Sequence, residues 1–284
     1  LDDEALELLR QACILHDFGK CNVKFQNKLY EKLDIEKLKD NNRDSDEVAH
    51  GYLSCAFVDK DYYKSKYGKD NYRILLQSIY YHHNRDKVER EELVNAIDND
   101  LINIDEFVEE MHKHFDFEFN KINKSFYSLV QGSKRIRESD DEIFYKYIVI
   151  KGLLNKIDYS ASSHNIIEIE NKNLLEKVDA TFTKNNFKLN DLQQYMRNNS
   201  NENIIVKAST GIGKTEGALE WIGNNKGFFT LPLKTSINAI YDRVYDKIDY
   251  KDVALLHSDT FSEYLKRDVY EEDYYNQTKQ LAQA

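Results

Sequence analysis

The sequence has one proline, Pro232, and ten glycines among 284 residues. That scarcity leaves few built-in helix stops and excludes a collagen-like or low-complexity chain. Cysteine is also scarce: Cys13, Cys21 and Cys55 are odd in number and lack zinc-site spacing, which argues against a disulfide framework. Cys13 and Cys55 lie in apolar runs and read as core, so a reducing cytoplasm is expected. No uninterrupted apolar run approaches the ~20 residues of a membrane helix, and no membrane partner is expected. Positive charge is in deficit: 40 Lys and Arg stand against 50 Asp and Glu, a net charge of −10. That balance disfavours broad, non-specific phosphate binding. Two local basic strips, Lys64, Lys66 and Lys69, and Lys134, Arg135 and Arg137, read as solvated loops. Nucleic acid stays open as a substrate, because a metal site can supply the missing positive charge.

What is present falls into two grammars. From Leu1 to about His164 apolar residues recur at helical spacing, as in Leu1, Ala5, Leu8, Leu9, Ala12 and Cys13. "HGYLSCAFVDKDYY", "NYRILLQSIYYHHN" and "DEIFYKYIVIKGLLNKIDYSASS" read as further helices, the last the longest. The many Tyr and Phe side chains here read as core. Residues 165–187 are polar and read as a linker with one short helix. From residue 188 to 284 the order becomes strand, loop, helix, strand, helix, strand, with "NIIVKA", "GFFTLPL" and "VALLHS" as the strands of a parallel sheet. The expected architecture is an all-α domain over 1–164, the linker, and an incomplete α/β P-loop domain over 188–284.

Four of the eight histidines form an ordered set with two aspartates: His16 and Asp17, then His50, then His82 and His83, then Asp158. Imidazole and carboxylate together suit transition-type divalent cations. Neighbours within a helix point about 100° apart, so each doublet can converge on a cation only at a helix end. Gly19 is expected as the residue terminating the first helix and Asn84 as the cap after His83. Asp17 is expected to bridge two ions with its two oxygens, activating water for in-line attack on a phosphodiester, and Lys20 to hold the phosphate. His112, His114, His164 and His257 read as ordinary polar groups.

"ASTGIGKT", Ala208 to Thr215, is a phosphate loop with alanine in the first glycine position. Gly211 and Gly213 permit the tight turn that aims backbone N–H groups from Thr210 onward at phosphates. Lys214 is expected to reach the β- and γ-phosphates of ATP and the Thr215 hydroxyl to take Mg²⁺.

The histidine set resembles that of the HD superfamily of metal-dependent phosphohydrolases. "LHDFGKCNVKFQNKL", "HGYLS", "YYHHN" and "LLNKIDYSASS" resemble, in order, the HD nuclease motifs of the CRISPR-associated nuclease-helicases of type I systems, including Phe25–Gln26 after the lysine. The phosphate loop resembles motif I of superfamily-2 helicases. "FKLNDLQQYM" resembles their Q motif, with Gln193 as adenine reader and Gln194 as the alternative. "TLPLKTSINAIYDRV" resembles motif Ia, with Pro232, Asn238 and Arg243 in family-like places, and "LLHS", ending at Ser258, the next strand. The resemblance spans nearly the whole chain and implies an all-α HD domain followed by a truncated RecA-like lobe. It implies a single-stranded DNA endonuclease for antiviral defence. Its HD site would hold two Mn, Fe, Co or Ni ions through His16, Asp17, His50, His82, His83 and Asp158, with Asp17 and Lys20 catalytic. It also implies ATP with Mg at the phosphate loop and recruitment by an RNA-guided surveillance complex. The family pattern has a histidine further upstream than this sequence reaches, so that ligand is expected on preceding chain. No Asp–Glu box with a strand before it is found, "EEDYY" lacking the strand. This stretch of chain is therefore expected to bind nucleotide weakly and not to unwind DNA. Two rivals stand beside this reading. One is an HD-type nucleotide phosphohydrolase with a P-loop regulatory domain, which needs a closed pocket. The other is a metal-free nucleic-acid-binding or regulatory module.

Overall fold

The computed structural model describes residues 1–83, 88–162, 164 and 170–266. Asn84, "EEDYY" and part of the linker lie outside these. The chain divides into two compact units, Leu1–Tyr159 and Ser160–Ala284. Among the described residues no helix is long and apolar enough to cross a membrane.

The first unit is helical. It contains α1 (Asp3–Leu15), α2 (Val23–Lys32), α3 (His50–Ser54), α4 (Lys60–Tyr80), α5 (Arg90–Asn99), α6 (Ile104–His112), α7 (Tyr127–Val130) and α8 (Asp141–Ser162). Asp2 caps α1 by accepting from the Ala5 N–H at 2.7 Å, and the apolar stripe Ala5, Leu8, Leu9, Ala12, Leu15 turns inward. The C-terminal half of α4 is buried on every side, with Ile74, Leu75, Leu76 and Ile79 at 1% exposure or less. Gln77 sits among them and is satisfied: its amide donates to the Leu129 and Lys134 carbonyls and accepts from the Ile136 N–H. A polar side chain in the core thereby pins the loop after α7.

One helix expected from the sequence is broken. The stretch 50–63 forms α3, a 3₁₀ turn over Cys55–Phe57, and then the start of α4. The break falls at Asp59, whose Oδ1 accepts from the N–H groups of Asp61 and Tyr62 at 3.0 and 2.9 Å. A cap in mid-pattern wins over periodicity.

The second unit contains α9 (Leu174–Lys184), α10 (Asp191–Asn198), α11 (Lys214–Ile222), α12 (Lys234–Asp242) and α13 (Thr260–Lys266). Leu174, Val178, Leu219, Val244, Ile248 and Tyr250 form its main core. Glu220, almost fully buried, is held by Arg197 at 2.5 Å. The three expected strands do not form: residues 203–208, 227–231 and 253–256 carry neither helix nor strand. Among the described residues the one β-bridge is Asn22 with Leu101, in the first unit. A strand exists only through a neighbour, and these segments have none paired to them. Their side chains show it: Ile205 is wholly exposed, Phe228 is 64% and Leu256 62% exposed. An apolar cavity of about 240 Å³ lies beside the latter two segments, lined by Leu174, Leu219, Phe229, Ile240 and Val244 among others.

Candidate metal centre

α1 stops at Leu15, and His16 is its C-cap; Asp17 then precedes a 3₁₀ turn over Phe18–Lys20. The doublet therefore lies outside regular helix, where its two side chains converge. Gly19 does not end α1 through a left-handed turn as expected. It is buried, and a Cβ there would stand 2.1 Å from the His50 carbonyl oxygen and 2.7 Å from the Ser54 nitrogen. The glycine is required by close approach of α3. Ser54 locks that approach: its hydroxyl donates to the His16 carbonyl at 2.6 Å and accepts from the Gly19 N–H at 2.8 Å.

The other ligand candidates come from three further elements. His50 opens α3, His82 and His83 follow the end of α4, and Asp158 projects from α8. His83 Nε2 lies 3.2 Å from Asp158 Oδ2, and His16 Nε2 lies 3.6 Å from Asp158 Oδ1. His50 Nε2 lies 3.3 Å from both Asp17 Oδ1 and His82 Nε2. Two three-residue groups result, His50–His82–His83 and His16–Asp17–Asp158, each with its ligand atoms within 4.8 Å of one another. Gly51 makes room for this packing, since a Cβ there would be 2.7 Å from His82 Cε1.

The two oxygens of Asp17 have different partners. Oδ2 is bound by Lys20 Nζ at 2.6 Å, while Oδ1 faces both His16 and His50. One oxygen, not two, borders both groups. Lys20, expected to hold phosphate, is paired with Asp17.

The donor set fits a cation on its own chemistry. His16 Nδ1 faces the Cys13 carbonyl at 2.8 Å and His82 Nδ1 the Ile79 carbonyl at 2.6 Å. A carbonyl accepts only, so Nδ1 carries the proton and Nε2 presents a lone pair. His16 Nε2 and Asp17 Oδ1 are both buried without a hydrogen-bond partner. Lone pairs facing each other across 3.5 Å repel unless something positive lies between. Burial also presses His82 down to about 3, so it stays neutral. Burial would raise the Asp17 carboxyl. The facing His50 and His16 rings and the Lys20 ammonium at 2.6 Å outweigh this and hold it well below the usual range.

A cavity of about 200 Å³ adjoins the cluster, lined by His50, Tyr52, Tyr80, His82 and His83. It is smaller than the ~300–1,000 Å³ of ordinary small-ligand pockets. Among the remaining histidines, His112 stacks on Phe117, His114 faces Glu110 and His257 bonds Asn238. The lysine and arginine strips stay outside the cluster; Lys66 lies over Tyr62 and Tyr67, and Arg135 over Tyr81.

Residues 1–137 match the family described as "Cas3, HD domain". Over this stretch the chain is similar to Cas3 HD domains. The match ends before Asp158, which the structure places beside His16 and His83. The chain is 26% identical, over 94% of its own length, to "CRISPR-associated nuclease/helicase Cas3" of Methanothermobacter thermautotrophicus, and covers 38% of that protein. A similarly named protein of Methanocaldococcus jannaschii is 34% identical over 24% of this chain and 10% of its own. The chain thus spans well under half the length of these relatives. No solved structure matches.

The phosphate-loop residues lie in the second unit. Gly211 and Gly213 both adopt left-handed backbone, with φ of 85° and 86°. Thr210 is exposed, Thr215 half-buried, and Lys214 turns back to donate to the Ala208 and Ser209 carbonyls at 3.0 and 2.8 Å. Gln193 is buried and shares a reciprocal cap with Asn190, and its Nε2 donates to the Gly213 carbonyl at 3.2 Å. Gln194 donates to the Leu189 carbonyl instead. Arg243 pairs with Glu216, Asn238 Oδ1 accepts from His257 Nε2 at 2.8 Å, and Pro232 precedes α12.

Proposed function

We propose that this chain contains a metal-dependent single-stranded DNA endonuclease site, joined to the beginning of an ATP-dependent RecA-like lobe that acts in CRISPR interference. The observation that carries the nuclease reading is the pair of three-residue groups bordering one Asp17 oxygen. His16, Asp17 and Asp158 would hold one divalent transition metal and His50, His82 and His83 another. Bound there, such cations supply a Lewis acid and a water of lowered pKa. The chain's own groups do the rest. The Cys13 and Ile79 carbonyls fix the histidine tautomers, Ser54 holds the Asp17 loop against α3, and Lys20 stands beside Asp17 with a charge available to a phosphate. Residues 1–164 are assigned to this HD nuclease and 188–284 to the lobe; 165–187, read as a linker, includes α9, whose Leu174 and Val178 pack in the core of the second unit.

The lobe reading rests on the left-handed glycines of the phosphate loop and on the relatives' name. Thr210, Gly211, Gly213, Lys214 and Thr215 would receive ATP and Mg²⁺, with Gln193 supporting the loop. Single-stranded DNA is the proposed substrate and an RNA-guided surveillance complex the proposed partner.

The test is cleavage of circular single-stranded DNA after EDTA stripping, with Mn²⁺, Co²⁺ or Ni²⁺ restored. The expected result is metal-dependent cutting of a molecule without ends, reduced at least ~100-fold by Asp17→Ala. No cutting, with rapid hydrolysis of free nucleotides, would replace this reading with a small-molecule phosphohydrolase. Failure of the protein to retain any added metal would point to a binding module.

A further inference from the structure

Two aromatic rings border the cluster, one beside His50 and one beside His83. Phe25 lies on the His50 side, with ring centroids 6.3 Å apart at a tilt of 59°. Tyr159 lies on the His83 side, with centroids 6.2 Å apart at 74°. His50 and His83 are themselves 5.3 Å apart. Neither outer ring is core: Tyr159 is 61% exposed, and α2 buries only Val23, leaving Phe25 half-buried.

Phe25 is also held in place. Asn22 accepts from its N–H at 2.8 Å and donates to the Gly19 carbonyl at 2.8 Å, and Gln26 donates to the Lys20 carbonyl at 2.8 Å. The turn that carries Asp17 and Lys20 thus also carries the ring. Lys20 Nζ lies 5.7 Å from the Phe25 centroid, and the same ammonium contacts Asp17. A phosphate drawn to Lys20 would bring its attached nucleoside against Phe25. On the far side Tyr159 follows Asp158 directly on α8, one residue from a candidate ligand.

We propose that Phe25 and Tyr159 are stacking platforms for the nucleobases on opposite sides of the scissile phosphate. The inference rests on the nuclease reading and deepens it. Aromatic faces accept any base, so the pair gives affinity without sequence preference. Bases in a duplex are already stacked on one another, and only an unpaired strand can splay a base to each side. The two rings therefore give a physical reason for a single-stranded substrate.

The probe is an oligonucleotide with one cleavable phosphodiester, its other linkages methylphosphonate, carrying an abasic sugar on one flank or the other. In the unaltered protein each abasic flank should lower kcat/KM about tenfold, in the range of one lost base–aromatic stack. Phe25→Leu should lose sensitivity to one flank only, and Tyr159→Leu to the other. Phe25→Trp and Tyr159→Phe should keep it, which a purely structural role of either ring would not require. A second readout needs no metal: 2-aminopurine at each flank should be quenched on binding, and the quench lost flank by flank in the same two leucine variants. Leucine variants as sensitive to both abasic flanks as the unaltered protein would overturn the proposal. Absence of cutting in every protein, with free nucleotides hydrolysed, would remove the nuclease reading and this inference together.

Discussion

The two units respond differently to the same signal. Both carry short apolar runs bounded by polar residues. In the first unit these became helices around one continuous core that includes Leu8, Leu15, Leu53, Phe57, Leu76 and Leu154. In the second, "NIIVKA" and "GFFTLPL" remain unpaired, with Ile205 and Phe228 exposed and an apolar cavity left beside "GFFTLPL". A helix satisfies its N–H and C=O groups within its own sequence; a strand borrows its partners from elsewhere. The helices of the first unit therefore satisfy their own backbone groups, and these segments of the second unit do not.

Hydrogen exchange gives the widest contrast. Amides of α4 between Ile74 and Ile79 should exchange only through global opening, and those of residues 203–208 at nearly free rates. A ratio of at least about a thousandfold is expected; similar protection in both segments would mean that the second unit is closed in solution. Core truncation comes next. Leu76→Ala, at 0% exposure in the first unit, should cost about 2–5 kcal/mol. Leu219→Ala should cost less, because the residue already lines a cavity. Separate thermal transitions of the two units would read both. Gly19→Ala should cost about 3 kcal/mol, from the collision of its Cβ with the His50 carbonyl. Gly211→Ala, also strained but with open space around it, should cost roughly 1 kcal/mol.

A further effect is expected on pH. His82 is held near 3 by burial, against an ordinary value of about 6.5. The unfolded chain thus binds a proton that the folded chain refuses, and stability should fall as pH drops from 7 to 5. Urea midpoints of the EDTA-treated protein should show that slope, and His82→Gln should flatten it. A slope unchanged by the substitution would place the titration on other groups.

How much of this was legible in the sequence differs by residue. The order His16–Asp17, His50, His82–His83, Asp158 was readable because imidazole and carboxylate doublets at helix ends have few other uses, and the structure brings all six side chains together. Gly19 was noticed for the wrong reason, since its neighbour, the backbone of α3, is remote in sequence. Ser54, Gly51 and Asn22 went unread. A serine between two apolar residues gives no sign that it will bridge a carbonyl and an amide in another segment. Asp59 could have been found: an aspartate after "CAFV" and before a lysine-rich helical run is an ordinary cap signal. The missing sheet was not legible, because periodicity reports a segment's own preference and says nothing about its neighbours.

The bond from Lys146 to Glu4 joins residues 142 positions apart, and it ties the helix carrying Asp158 to the one ending beside His16. During synthesis His16 and Asp17 emerge early and Asp158 late, at ~5–20 residues per second. The His16–Asp17–Asp158 group thus stays without its last member until nearly all of the helical unit has left the ribosome. A nascent or prematurely terminated chain lacks that carboxylate, so the three-residue group stays open until the helical unit that encloses it is complete.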